Sequence, residues 1–128
     1  MYMHVALMAD NGKYVAAENG GGRELVANRE RVGPWESFNV THLGNDRLAL
    51  QASNGKYVCA EGGGGGAMVA NRDRIGPWET FLMIHTHGRI ALQASNGQYV
   101  SAEGGGGREL VANRDTIGPW ESFYMFLW

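Results

Sequence analysis

One phrase written three times, about four strand-like segments in each copy, and no helical periodicity anywhere predict an all-β fold. The architecture that fits is a β-trefoil, a six-stranded barrel capped by three hairpins. Its three internal repeats of about 42 residues would be related by pseudo-threefold symmetry. The phrase begins Gly12-Lys13-Tyr14-Val15-Ala16-Ala17-Glu18. It returns as Gly55-Lys56-Tyr57-Val58-Cys59-Ala60-Glu61 and as Gly97-Gln98-Tyr99-Val100-Ser101-Ala102-Glu103. Each copy runs on into a glycine tract, then Val-Ala-Asn-Arg, then Gly-Pro-Trp-Glu-Ser/Thr-Phe. A three-bladed propeller would fall below the usual minimum of about four blades. A closed barrel also removes exposed strand edges. The expected organisation is a single domain, 1–128, with repeats at approximately 4–46, 47–88 and 89–128.

Within a copy the first strand is Val5-Ala6-Leu7-Met8-Ala9, Leu48-Ala49-Leu50-Gln51-Ala52 or Ile90-Ala91-Leu92-Gln93-Ala94. Large apolar residues alternate there with small or polar ones, as in half-buried strands. Asn11-Gly12, Asn54-Gly55 and Asn96-Gly97 follow, a hairpin signal that calls for positive φ at both turn positions. The second strand is 13–17 and its counterparts. The glycine tract then forces a loop. Leu25-Val26-Ala27, Met68-Val69-Ala70 and Leu110-Val111-Ala112 make the third strand. Gly-Pro closes a turn, and Trp-Glu-x-Phe opens the fourth. The last segment, 123–128, is apolar to its final residue and is expected to close the ring beside the N-terminal strand.

Net charge is -2, with acids and bases scattered along the chain. That excludes the basic footprint of a nucleic-acid partner. No apolar run approaches spanning length, so no membrane insertion is expected. Met1-Tyr2-Met3-His4 lacks a charged start and a signal-type apolar segment, the pattern of a cytoplasmic chain or of a module secreted and excised. Cys59 stands where the other copies carry Ala16 and Ser101, so it is read as a small semi-buried side chain. His85 and His87 share a strand face with no third ligand at metal-site spacing. No metal or cofactor is expected. The glycine tracts lack the Gly-Lys-Ser/Thr ending of a phosphate loop, and no serine sits in a nucleophile elbow.

The strand Gly-Lys-Tyr-small-small-small-Glu, the glycine tract, Ala-Asn-Arg and the terminal Trp-Glu-x-Phe together resemble the fascin-like β-trefoil repeat. The resemblance covers about residues 4 to 128. Within that group the chain is most similar to single-trefoil sugar-binding modules of bacterial polysaccharidases, the β-glucan-binding modules of family 92 above all. The resemblance implies a polysaccharide or glycan ligand and suggests β-glucan as the sugar, while a galactose- or mannose-type lectin would show the same residues. Fascins use four trefoils in tandem to bundle actin, and this chain carries one, so actin stands as the alternative partner.

Strand parity sets Trp35, Trp78 and Trp120 opposite the core phenylalanines Phe38, Phe81 and Phe123, facing outward or into a groove. An exposed indole is a platform for the apolar face of a pyranose, and an indole in the core is the competing reading. Glu18, Glu61 and Glu103 fall on the outer face at the lip of the glycine tract, where a ligand can approach bare backbone. A carboxylate there accepts hydrogen bonds from vicinal sugar hydroxyls, or is a solvated loop acid. The second glutamates, Glu36, Glu79 and Glu121, complete the expected carbohydrate contacts. Assisting roles fall to Lys13, Lys56 and Gln98 and to Arg29, Arg72 and Arg114. The arginines have two roles open, pairing with Glu36, Glu79 and Glu121 or reaching a ligand. Asn28, Asn71 and Asn113 are expected to cap turns through Asx-type hydrogen bonds. The second copy carries Gly66-Ala67 where the others have Arg23-Glu24 and Arg108-Glu109, so its site is expected to be weaker if those charges touch ligand.

Three copies of a catalytic carboxylate pair on one small domain would be unusual, although paired carboxylates are the glycosidase device. The expected function is therefore non-catalytic carbohydrate binding through three equivalent sites, as a lectin or carbohydrate-binding module. A fascin-like actin binder is the alternative, and symmetry kept for folding economy alone is a third.

Overall fold

The computed structural model describes residues 4–127. The first copy supplies β1 (His4–Met8), β2 (Tyr14–Ala17), β3 (Leu25–Arg29) and β4 (Phe38–Gly44). The second supplies β5 (Arg47–Gln51), β6 (Tyr57–Ala60), β7 (Met68–Arg72) and β8 (Phe81–Thr86). The third supplies β9 (Arg89–Gln93), β10 (Tyr99–Ala102), β11 (Leu110–Arg114) and β12 (Tyr124–Leu127).

The first and fourth strands of the copies pair around a closed ring, β1–β4–β5–β8–β9–β12 and back to β1. Between β9 and β12 the joint is a bridge in which Ile90 and Phe123 exchange backbone hydrogen bonds of 2.9 and 2.8 Å. The ring closes where β12 lies antiparallel to β1, from Val5 opposite Leu127 to Met8 opposite Tyr124. That is the closure expected of the C-terminal segment; Trp128 lies outside the described residues. The second and third strands form the caps β2–β3, β6–β7 and β10–β11. The caps touch one another through bridges Glu24–Val69, Ala67–Val111 and Val26–Glu109. This is the β-trefoil that the repeats predict.

Period-two alternation turns Val5 and Leu7, Leu48 and Leu50, and Ile90 and Leu92 inward. Phe38, Phe81 and Phe123, each fully buried, meet them at equivalent positions. Burying each ring contributes roughly 2–3 kcal/mol.

Two local expectations are corrected. The Asn-Gly hairpins do not use two left-handed residues. Gly12 has φ +79° while Asn11 does not have a positive φ. Ala9 O accepts from Gly12 N at 2.9 Å and Ala9 N donates to Lys13 O at 2.9 Å. One left-handed glycine suffices in this longer loop, and Asn11 is held instead by its side chain, whose Oδ1 accepts from Lys13 N at 2.9 Å. Three consecutive positive-φ residues occur instead at the β4–β5 turn, at Gly44, Asn45 and Asp46. The second correction concerns Trp-Glu-x-Phe. Pro34–Glu36, Pro77–Glu79 and Pro119–Glu121 form short 3-10 turns, because proline pre-sets the helical φ at their first position. The regular strand begins only at Phe38 and Phe81, so strand parity does not set the orientation of the tryptophans.

Candidate functional site

Each 3-10 turn projects its tryptophan from the surface. Trp35, Trp78 and Trp120 are 39, 41 and 40% exposed, outside the core. The buried edge of each indole lies on a glycine of its own tract. A methyl carbon built on Gly20, Gly63 or Gly105 would stand 3.2, 3.0 or 3.1 Å from the indole Nε1. The Arg29 guanidinium lies 5.8 Å from the Trp35 ring centre, and Arg114 stands the same distance from Trp120.

A β-bulge builds the polar half of the site. Tyr14 opposes Arg29 while Val15 opposes Ala27, which leaves Asn28 as the extra residue. Successive residues of a regular strand point to opposite faces, and the bulge re-aims them. Asn28 and Arg29 thus both reach Glu18. Asn28 Nδ2 donates to Glu18 Oε2 at 3.1 Å, and Arg29 Nη2 to Oε1 at 2.6 Å. Arg29 Nη1 also donates to Asn28 Oδ1 at 2.6 Å. The same triangle recurs as Glu61–Asn71–Arg72 and Glu103–Asn113–Arg114. The asparagines are therefore bridges within the cluster, and the Asx-type caps expected of them are corrected.

Glu36, Glu79 and Glu121 are 6% exposed, facing inward beneath the cluster. Their Oε1 atoms accept from the backbone N–H of Gly33, Gly76 and Gly118 at 2.7, 2.6 and 2.7 Å. Their Oε2 atoms face the Nε of Arg29, Arg72 and Arg114 at 3.8, 4.0 and 3.9 Å. Each arginine thus spans a surface carboxylate and a buried one. The second glutamates act here as supports of the guanidinium.

Lys13 pairs with Glu30 at 3.3 Å, Lys56 with Asp73, and Gln98 donates to Asp115 at 2.8 Å. The change from lysine to glutamine therefore keeps one donor-to-acid contact at the edge of the site. Arg23 pairs with its neighbour Glu24 at 3.7 Å on the open surface.

Electrostatics follow from the triangle. The Asn71 hydrogen bond, working against burial and joined by Arg72, holds the Glu61 carboxyl below its ordinary value. For Glu103, burial pushes upward, but Asn113 and Arg114 outweigh it and the carboxyl is again held low. The Arg72 guanidinium is raised by its hydrogen bond to Glu61. These are fixed charges with their acceptor directions set by the protein.

Sequence reasoning missed the contribution of the following repeat. Ser53 Oγ donates to Gly20 O and Ser95 Oγ to Gly63 O, both at 3.3 Å, beside Trp35 and Trp78. The equivalent residue of the first repeat is Asp10, which pairs with Arg89 at 3.3 Å. The visible signal was an exchange inside an otherwise repeated phrase, Ala-Ser-Asn-Gly twice and Ala-Asp-Asn-Gly once. The middle of each glycine tract is also occupied by protein. Asn54 N donates to Gly20 O, Asn96 N to Gly63 O and Asn11 N to Gly105 O, each at 3.0 Å.

A family model described as a domain of unknown function, DUF7910, matches residues 3–99. No curated protein sequence matches the chain. Among solved structures, the designed threefold-symmetric protein ThreeFoil is similar at TM-score 0.84 and 19% identity, over 95% of this chain and 96% of that one. A lectin of Polyporus squamosus, bound to a Neu5Ac-containing influenza-binding epitope, is similar at TM-score 0.80 and 14% identity. The match covers 95% of this chain and 48% of the lectin, so the chain spans about half that protein's length. SeviL bound to the asialo-GM1 saccharide is similar at TM-score 0.76 and 13% identity, over 98% of both chains. At these identities the likeness shows a shared fold.

Proposed function

The chain belongs to the DUF7910 family, whose description assigns no activity, and from there we propose that it binds carbohydrate without catalysis, at one tryptophan site per repeat. The observation that carries this reading is the half-exposed indole beside a fixed carboxylate–amide–guanidinium cluster, present three times. A pyranose offers an apolar face and a rim of hydroxyls. The indole takes the first at low entropic cost. Glu18, Glu61 and Glu103 keep lone pairs for the second, and the arginine and asparagine hold them still.

The fate of the second glutamates supports a binding role over hydrolysis. Each is buried, and its oxygens face a backbone N–H and an arginine, whereas an acid–base pair needs two carboxyls facing one bond. Single sites of this shallow kind bind weakly, and three on one rigid body raise avidity on a polymer or cell surface. The lectin folds above, described with bound saccharides, support a glycan as the ligand. β-Glucan is the polysaccharide class proposed, on the resemblance of the repeat to family 92 modules.

The test is a glycan array and polysaccharide pull-down on the wild type beside the triple variant Trp35→Ala, Trp78→Ala, Trp120→Ala, with thermal melts of both. Binding by the wild type, lost from a variant that still melts cooperatively, is the expected result. A wild type that retains no glycan would sink the reading, and cosedimentation with filamentous actin would follow.

A further inference from the structure

We propose that the cleft between the second and third repeats, beside Trp78, takes the anionic substituent of an acidic sugar on Arg47. The ligand class is a pyranose bearing a carboxylate or a sulfate ester. This inference rests on the carbohydrate reading for the sugar, and on the cleft for the charge.

Two clefts of the molecule are related by the repeat, and their charges differ. In the cleft between the third and first repeats, Arg89 is satisfied by protein. Its Nη1 lies 3.3 Å from Asp10 Oδ1, its Nη2 donates to Tyr124 OH at 2.8 Å, and its guanidinium lies 4.3 Å from the Tyr124 ring centre. The other cleft, of about 570 Å³, is the same construction one repeat earlier. Arg47 replaces Arg89, Ser95 replaces Asp10, and Leu82 replaces Tyr124. Among the described residues the Arg47 side chain has neither an ion pair nor a hydrogen bond, and no carboxylate lines this cleft; on its other side Arg47 also lines a smaller cleft with Asp46 and His42, without pairing to Asp46. Arg31, Arg74 and Arg108 also lack partners, but they do not line this cleft.

The hydroxyls of Thr80 and Ser95 are spent as donors, and Gln93 uses one of its two amide hydrogens. Thr80 Oγ1 donates to Gly76 O at 2.9 Å, Ser95 Oγ to Gly63 O at 3.3 Å, and Gln93 Nε2 to Gly97 O at 2.8 Å. Each then offers an oxygen as acceptor. A neutral lining made mostly of acceptors around one open guanidinium matches a molecule rich in hydroxyls that carries a single negative charge. The guanidinium fork suits a carboxylate or sulfate in particular. The cleft adjoins the tryptophan site, since Ser95 Oγ and Trp78 Nε1 would stand 3.2 and 3.0 Å from a methyl carbon built on Gly63.

The experiment measures binding to polygalacturonate against fully methyl-esterified pectin, and to dextran sulfate against dextran, at low salt. The first pair reads a carboxylate and the second a sulfate ester. The wild type should prefer at least one charged polymer, and Arg47→Gln should lower that preference roughly tenfold, the scale of one lost charge-assisted contact. Arg108→Gln, which removes the same charge outside the cleft, should leave it intact. Ser95→Asp should install the Asp10 arrangement and abolish the preference, while Asp10→Ser should free Arg89 and enlarge it. An unchanged preference in Arg47→Gln, an equal loss in Arg108→Gln, or no preference in the wild type overturns the proposal. A neutral glycan bound without any acidic preference would leave the tryptophan sites standing and remove only this cleft; a wild type that binds neither neutral nor acidic glycans removes the tryptophan reading as well.

Discussion

Asn54 occupies the space above Gly21 so fully that a methyl carbon built on the glycine would stand 2.0 Å from the asparagine Nδ2. The same relationship joins Asn96 to Gly64 and Asn11 to Gly106, at 1.9 and 2.0 Å. Each repeat therefore inserts its Asn-Gly turn into the glycine tract of the repeat before it, and the third tract receives the first turn. Gly22 N, Gly65 N and Gly107 N complete the joint by donating to Ala70, Ala112 and Ala27 carbonyls of the next repeat around the ring at 2.9, 2.8 and 2.9 Å. The middle of each tract, Gly21, Gly64 or Gly106, is a socket between repeats, while the next glycine, Gly22, Gly65 or Gly107, faces open space on its Cβ side. A single copy lacks both a plug for its socket and a socket for its plug, so cooperativity is built into the ring.

Gly21→Ala should therefore cost far more than Gly22→Ala, although both glycines have positive φ, +134° and +85°. At Gly22 a methyl carbon meets nothing within 4 Å, so only the backbone preference is lost, about 1–2 kcal/mol. At Gly21 the joint must open as well, and a total of about 3–5 kcal/mol is expected. Denaturant melts of the two variants decide the matter: equal losses would mean that the interlock carries no stability.

How far the sequence could be read follows from the same joint. Repetition and alternation exposed the barrel, the caps and the core phenylalanines, because burial acts on every copy alike. The tryptophans were read as surface groups from a strand parity that does not apply, since proline turns Pro34–Glu36 into a 3-10 turn. The joining of Asn28 and Arg29 on Glu18 depends on a one-residue bulge, which no alternation pattern records. The burial of Glu36 was equally hidden, because its partner is a backbone N–H. Contacts between repeats, such as Asn54 with Gly21, need the three-dimensional order of the copies.

Removing a second glutamate should damage the fold before it damages a ligand. Glu79→Ala strips the acceptor from Gly76 N and the buried counter-charge from Arg72, a loss of about 1–3 kcal/mol. Glu61→Ala, at a more exposed carboxylate, should melt closer to the wild type and yet bind glycan less well at that site. Paired melts and titrations separate the two; a Glu79→Ala protein as stable as the wild type would remove the supporting role.

Cys59 should behave as an inert filler. It is fully buried, and burial together with the Glu79 and Glu61 carboxylates pushes its thiol well up. The thiolate is the reactive form, so native protein at pH 8 should resist iodoacetamide and unfolded protein should react. Ser101 already fills the equivalent place and donates to Glu103 Oε1 at 3.3 Å, so Cys59→Ser should cost less than about 1 kcal/mol. Rapid alkylation of the native protein would contradict this placement.

Acid should loosen the clusters in a defined window. Glu61 and Glu103 are held below the ordinary carboxyl value, by Asn71 and Arg72 and by Asn113 and Arg114 respectively. The folded chain therefore binds fewer protons at these positions than the unfolded chain does. Their stabilisation is complete above the unfolded value, about 4.3, and is lost as pH falls through the lower folded values. Melting temperatures should thus hold from neutrality to near pH 5 and fall below it. The double variant Glu61→Gln, Glu103→Gln should start lower and fall less steeply, because two of the responsive protons are gone. An acid limb of unchanged slope in that variant would assign the transition to other carboxylates.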